Sequence, residues 1–374
     1  MNQAYIDNVM ERLQAKVDRM IEQIGSKCPH VAKEDGKYDD TPSHAWTSAF
    51  WPGLLWIMHD VTGKKQYRDA AWDWDADIEQ WFAKALVGPG QGLHHDVGFQ
   101  FLPTAVIKHT LTGDEDGLRR GLEAANFLTG RFNLAGGFIR AWNMDRIGWA
   151  IVDCMMNLSL LFWASDVSKD PRFKQIAIAH ANTALEHFVR PDGSTNHIVV
   201  FDPETGKVVE ALGGQGFAPQ SAWSRGASWA IYGFANTYRY TGDIRYLEAA
   251  KRVAHFFLAS LPDDHVPHWD FRADHLESEP RDSSAGAIAA SGLLEIMNHV
   301  PEAEARFYLD SAKKILHSLT ENYATWDQPE HEAILLHGTG NKPAGMNIDV
   351  SLIYGDYYYV EAFAKLSGWK HRIF

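Results

Sequence analysis

The feature that most restricts what this chain can fold into is a helix–turn–helix pattern that returns six times. Each copy holds an apolar helical segment, a tight turn of the T-G-D kind, and a second helix opening on an aromatic residue or leucine followed by alanines. The copy at 230–258 is the clearest. Ile231, Phe234, Ala235 and Tyr238 fall on one helical face, and after the turn Leu247, Ala250, Ala254, Phe257 and Leu258 fall on another. Gly242 supplies the left-handed conformation that ends the first helix, and Asp243 can cap the second. Other copies turn at 62–64, at 112–114 and, without the glycine, at 168–171. A degenerate fifth copy covers 292–316, and the sixth, 355–369, lacks its second helix.

Such short turns make the paired helices antiparallel neighbours. In the N-terminal stretch Ile6, Val9, Met10, Leu13, Val17, Met20, Ile21 and Ile24 recur at three and four, which suits it to complete the truncated sixth pair. An open superhelix would show a more uniform repeat and polar capping units. The fold expected is therefore all-α: an (α/α)6 barrel, six hairpins closed into a toroid, forming one domain over 1–374. Strand patterns are scarce, with HIVVF (197–201) as a short β candidate. Long connections at 25–50, 72–105, 129–150, 183–229, 259–291 and 320–354 would all emerge at one end of the ring, where function usually gathers.

A net charge of −13 argues against nucleic acid and anionic membranes as partners. It still permits a small anionic substrate, because a few arginines in a cleft reverse the local field. Cys28 and Cys154 are too few for a disulfide framework, and Cys154 reads as a core thiol. Charges interrupt the N-terminal apolar residues, unlike the core of a signal peptide, and no run reaches the roughly eighteen apolar residues of a membrane span. A soluble, cytoplasmic protein is expected.

Two acids stand in apolar settings. Asp96 lies in LHHDVGF (93–99), and Asp153 begins a helical run in AIVDCMMNLSLL with Asn157 one turn on along the same face. Desolvation makes the charge of each costly, and a nearby pair keeps one proton near neutral pH, as proton-transfer chemistry requires. The structural alternative is a helix-terminal acid and a loop cap. His94, His95 and Asp96 could ligate a metal, but adjacent residues seldom give two imidazoles to one ion and no H-x-x-x-H or H-E-x-x-H partner is present. Neither metal nor cofactor is expected. The glycines of GPGQG (88–92) match no phosphate loop and read as turn material.

Trp46, Trp51, Trp142, Trp223, Trp229 and Trp269 fall in or beside the connections, near His197, Gln215, Gln220 and Arg225. Flat rings beside polar groups suit the C–H faces of sugars as well as core packing. Arg225 could hold an acidic sugar's carboxylate bidentately, or serve as a structural ion pair at a helix end. The stretch 281–284 reads mainly as helix capping and an ion pair.

These residues resemble glycoside hydrolase family 88, the unsaturated glucuronyl hydrolases. The resemblance runs through AWTSAFWPGLLW (45–56), HHDVGF (94–99), IRAWN (139–143), IVDCMMNLSLLFWA (151–164), HIVVFDPETG (197–206), WSRGASWAIYGF (223–234), PRDSSAGAIAASGLLEI (280–296) and GDYYYVEA (355–362). It implies a metal-independent cytoplasmic enzyme that hydrates the 4,5 double bond of the unsaturated uronic acid left by polysaccharide lyases. By matching motifs, Asp153 would be the general acid/base and Asp96 would hold the uronate hydroxyls and tune it. Trp46, His95, Trp142, His197, Gln215, Trp223, Arg225 and Trp229 would line the substrate pocket. The family's WTDG is WTSA here (46–49), so an acidic residue is missing beside the pocket. Competing expectations are an unsaturated galacturonyl hydrolase acting on rhamnogalacturonan, a non-catalytic oligosaccharide-binding ring, and a sugar epimerase that uses opposed histidines. A monomer or weak homodimer is expected.

Overall fold

The computed structural model describes residues 1–84, 92–143 and 145–374. The GPGQG stretch, apart from Gly92, lies outside the described residues. After α1 (Gln3–Ile24), the first hairpin pairs α2 (Phe50–Thr62) with α3 (Lys65–Ala71), and a short α4 (Trp74–Glu79) follows. The second pairs a composite rod with α7 (Glu115–Thr129). That rod is α5 (Val97–Phe101), a π-helical turn (Leu102–Val106) and α6 (Ile107–Thr112). Then come α8 (Cys154–Ser168) with α9 (Pro171–His187), and α10 (Ser224–Thr241) with α11 (Ile244–Ala259). The last are α12 (Ser283–Met297) with α13 (Glu302–Ser318), and α14 (Ile353–Leu366).

The first helices of the hairpins form the inner wall. Each packs on its neighbours, from α2 through the composite rod, α8, α10, α12 and α14 back to α2, so the ring closes as an (α/α)6 barrel. The unpaired α14 takes α1 as its outer partner, and α1 buries Ile6, Val9, Leu13, Val17, Met20 and Ile24. The inner helices are apolar nearly all round, as burial on both sides demands; every residue of α12 from Ser283 to Ile296 is buried. The third turn lacks a glycine, and Lys169 takes the left-handed conformation instead (φ 59°). Pro171 then opens α9, where its missing N–H costs no helical hydrogen bond.

Because the inner helix comes first in each hairpin, all six start at the end where the long connections gather. Asp96, Asp153, Trp223 and Asp282 are the residues that immediately precede inner helices. The connections also form a three-stranded antiparallel sheet of Trp149–Ile151, Ile198–Phe201 and Val208–Leu212. Its middle strand is the β candidate of the sequence, and the pairing of Ile151 with Ile198 brings Asp153 and His197 to one rim.

The approach of α5 to α8 sets the spacing of the two acids. Gly98 permits it, since a Cβ there would lie 2.5 Å from Asn157 Oδ1 and 2.6 Å from Asn157 Cα. Gly98→Ala is expected to cost about 1–3 kcal/mol of stability through overpacking. Denaturant unfolding checks this, and unchanged stability would show that the helices can part without cost.

Candidate active site

Asp96 and Asp153 sit at the N-terminal ends of neighbouring inner helices, yet neither side chain caps its own helix. Both side chains are free for other contacts. Asp96 is well supplied. Its Oδ1 accepts from Asn157 Nδ2 (3.2 Å) and lies 3.1 Å from His95 Nε2, while its Oδ2 is 3.4 Å from His94 Nδ1. Asn157 is in turn fixed, accepting from the Phe99 N–H (2.8 Å) and donating to the Asp153 carbonyl (3.3 Å). Asp153 is poorly supplied: its Oδ2 is buried without a hydrogen-bond partner, and His197 Nε2 stands 3.6 Å away.

This difference in partners decides where a proton rests. Burial and then the charge of Asp96 push the Asp153 carboxyl up to about 7. Burial also pushes Asp96 upward, but the charges and hydrogen bonds of His95, His94 and Asn157 outweigh it and hold Asp96 below its usual range. Burial lowers His197 to about 3 and His94 to about 4, so both imidazoles are neutral near pH 7.

Backbone groups orient the histidines. His95 Nδ1 donates to the Ala141 carbonyl (2.7 Å), which turns Nε2 toward Asp96. Arg131 locks that carbonyl's loop with four hydrogen bonds, to the carbonyls of Arg140, Ala141 and Trp142 and to Asn143 Oδ1. Arg131 is a site-building residue that the sequence reading missed. Trp142, on the same loop, is half-buried and meets His95 edge-on with ring centroids 6.3 Å apart. On the other wall His197 Nδ1 is met by the Gln215 N–H (2.9 Å) and the Gly213 carbonyl (3.2 Å), which turns Nε2 toward Asp153.

Gln215 also ties His197 to Arg225, its Oε1 accepting from Nη2 (2.7 Å). Arg225 differs from the free counter-ion the sequence suggested. It is 2% exposed, stacks on Trp223 and Tyr354, and gives its Nη hydrogens to Gln215, Asp282 and the carbonyls of Thr339 and Gly340. Asp282 caps α12 as expected, and Arg281 pairs with Asp264. Trp223 packs on His197 at 4.3 Å between ring centroids. Trp46 is half-buried among Phe50, Phe99 and Tyr354.

Trp229 is as deeply buried as His95. It is 0% exposed and packs on Phe99 and Tyr358, one helical turn beyond Arg225. Ser48, where the related motif has an acid, is buried with its hydroxyl lacking a hydrogen-bond partner.

Among the described residues, the His94–His95–Asp96 group is the one whose ligand atoms could share an ion, lying within 4.8 Å of one another. That is wider than the roughly 3.3 Å edge of a tetrahedron with zinc-like bond lengths. The rings would have to turn to converge on one ion.

Residues 16–374 match the model of Glycosyl Hydrolase Family 88. The chain belongs to that family. Among its family-88 relatives is an unsaturated glucuronyl hydrolase of Bacillus sp. (strain GL1), 38% identical over 93% of this chain and 93% of the relative. An unsaturated chondroitin disaccharide hydrolase of Streptococcus pyogenes serotype M1 is 32% identical over 96% and 90%. The crystal structure of the Bacillus sp. GL1 unsaturated glucuronyl hydrolase, described as responsible for glycosaminoglycan degradation, superposes with a TM-score of 0.91. It covers 96% of both chains at 35% identity. Family membership makes the chain a glycoside hydrolase.

The raised Asp153 has a consequence for stability. Asp153 holds its proton more tightly folded (about 7) than at its ordinary 3.8. The stabilisation this gives is complete below about pH 4 and is lost as pH rises toward about 7. Asp153→Asn is therefore expected to match the parent near pH 4 and exceed it by about 2–4 kcal/mol above pH 7. Unfolding curves of both proteins across pH measure it, and an advantage over the parent no larger at pH 8 than at pH 4 would contradict the raised value.

Proposed function

We propose that this protein is an unsaturated glucuronyl hydrolase in which Asp153 is the general acid and base. The substrate is the 4,5-unsaturated uronic acid at the non-reducing end of a lyase-generated oligosaccharide, from a glycosaminoglycan or a similar polymer. The observation that carries the reading is the Asp153 carboxyl, pushed up to about 7 with its Oδ2 unpartnered. A carboxylic acid that is still protonated near neutrality can give its proton to carbon 4 of the vinyl ether. Positive charge then develops on carbon 5 and the ring oxygen. Water adds at carbon 5 and returns a proton to the Asp153 carboxylate, restoring the acid. The resulting hemiketal opens at the carbon 5–ring oxygen bond. Carbon 1 is left as a hemiacetal that expels the remaining saccharide, giving a keto-uronate.

Asp96 stays ionised, accepts hydrogen bonds from the sugar hydroxyls and raises Asp153 by its charge. His95, His197 and Gln215 hold the uronate ring, with Trp46, Trp142 and Trp223 against its apolar faces. Arg225 contributes by fixing Gln215 and by its positive charge, and Trp229 by supporting the floor. The anomeric carbon is not attacked, so the separation of the carboxyl groups says nothing about retention or inversion. Residues 1–374 act as a single catalytic domain, as a monomer or weak homodimer. A cytoplasmic setting fits two cysteines that are both free, and no helix among the described residues is long and apolar enough to cross a membrane.

The test is loss of the double bond's ultraviolet absorbance with unsaturated disaccharides from chondroitin, hyaluronan, heparin and pectin. Turnover is expected on uronate disaccharides, with Asp153→Asn lowering it at least about 1000-fold while binding persists. Activity should fall as pH rises through about 7, where Asp153 loses its proton. Activity that persists undiminished to pH 9, or survives in Asp153→Asn, would remove Asp153 from the role.

A further inference from the structure

The stretch 369–374 crosses the end of the barrel opposite the site. The inner helices start at the site, so their last turns lie at that far end, and three of them hold the stretch. Asp60 of α2 accepts from Trp369 Nε1 (2.7 Å), and His371 Nδ1 lies 2.5 Å from the same oxygen. Glu295 of α12 accepts from Arg372 Nε (2.9 Å), and Arg239 of α10 donates to the Phe374 carbonyl (2.6 Å). Arg239 also pairs with Glu295 (3.2 Å), so two of the anchors brace each other. Thus held, Phe374 turns its side chain into the ring and is 0% exposed. Its ring centroid lies 5.6 Å from that of Phe99, 5.8 Å from Tyr358 and 6.0 Å from Tyr357.

Phe99 joins this ring to the acids. It also packs on Trp46 and Trp229, and its N–H donates to Asn157 Oδ1 (2.8 Å). Asn157 in turn donates to Asp96 Oδ1 and to the Asp153 carbonyl. Tyr358, against Phe374, meets Trp229 at 5.4 Å, and Tyr358 Oη and Trp229 Nε1 are both buried without hydrogen-bond partners. A space opened beside such atoms takes up water. The charged and titratable groups that face Asp153 come from other places: Asp96 and His95 ahead of α5, His197 from the sheet, Arg225 from α10, Tyr354 from α14 and Cys154 from its own helix. None of them touches Phe374 through a ring contact or hydrogen bond, so a change at Phe374 reaches Asp153 through Phe99 and through water.

We propose that Phe374 is a positioning residue for the hydration step: it fills the barrel beneath Phe99, bars water from the far end, and so holds Asp96 and Asp153 in their working arrangement. The inference rests on the hydration reading of the site, and one arm of the experiment needs no turnover.

The experiment measures kcat and KM across pH with an unsaturated uronate disaccharide for the parent, Phe374→Ala and Phe374→Leu. Phe374→Ala is expected to lower kcat about ten- to a hundredfold and to change KM less than about threefold, because the substrate's own contacts remain. The pH at which activity falls should drop by about one unit as Asp153 gains water. Phe374→Leu, which refills most of the space, should restore both. A Phe374→Ala protein that is less stable yet keeps the parent's kcat and pH profile reduces Phe374 to a structural plug and overturns the proposal. Should Phe374→Ala not fold, Phe374→Val takes its place under the same criteria. If the parent turns over no disaccharide, the hydration reading fails by itself. Unfolding curves then decide the role of Phe374: the stability gained on Asp153→Asn at pH 8 should be smaller in the Phe374→Ala or Phe374→Val background than in the parent, and an equal gain overturns it.

Discussion

Two carboxyl groups held together out of water cannot both ionise cheaply, and the site is arranged around which of them keeps the proton. The answer lies in unequal support. Asp96 accepts from Asn157 and has His95 Nε2 3.1 Å from its Oδ1. Asp153, at the start of the next inner helix, has an oxygen without a hydrogen-bond partner. Helix dipoles favour the anion at both positions, so the local contacts make the difference. One acid and one carboxylate result from two residues of the same type.

Holding that inequality requires a rigid frame. The ring of inner helices sets where Asp96 and Asp153 begin, and the contact at Gly98 sets how closely their helices approach. The histidines are aimed by backbone: His95 by the Ala141 carbonyl and His197 by the Gln215 N–H. Arg131 and Arg225 each spend their donors on loop carbonyls and amides, and so act as cross-braces of the connections. The barrel places the chemistry, and the buried arginines keep its loops in register with it.

The hairpins were legible because each short turn leaves a local signature, and ring closure was legible because α1 and the unpaired sixth copy complement one another. The composite inner rod was less so: its first turns lie in LHHDVGF and run through a π-helical turn at Pro103, where the helical period slips. Arg225 and Trp229 show what periodicity cannot supply. They share a helical face, but the period does not show that Arg225, like Trp229, is buried and bound to protein acceptors. Arg131 was invisible because its partners lie in an irregular loop, without any repeating pattern to mark them.

Cys154 follows Asp153 directly and opens α8 inside the barrel wall. Burial and then the neighbouring Asp96 carboxylate raise its thiol well above the ordinary range, so the reactive thiolate scarcely forms. An alkylating reagent can reach this sulfur only when the inner ring comes apart. The residue beside the acid thus serves as a chemical clock for opening of the barrel, silent while the wall is intact.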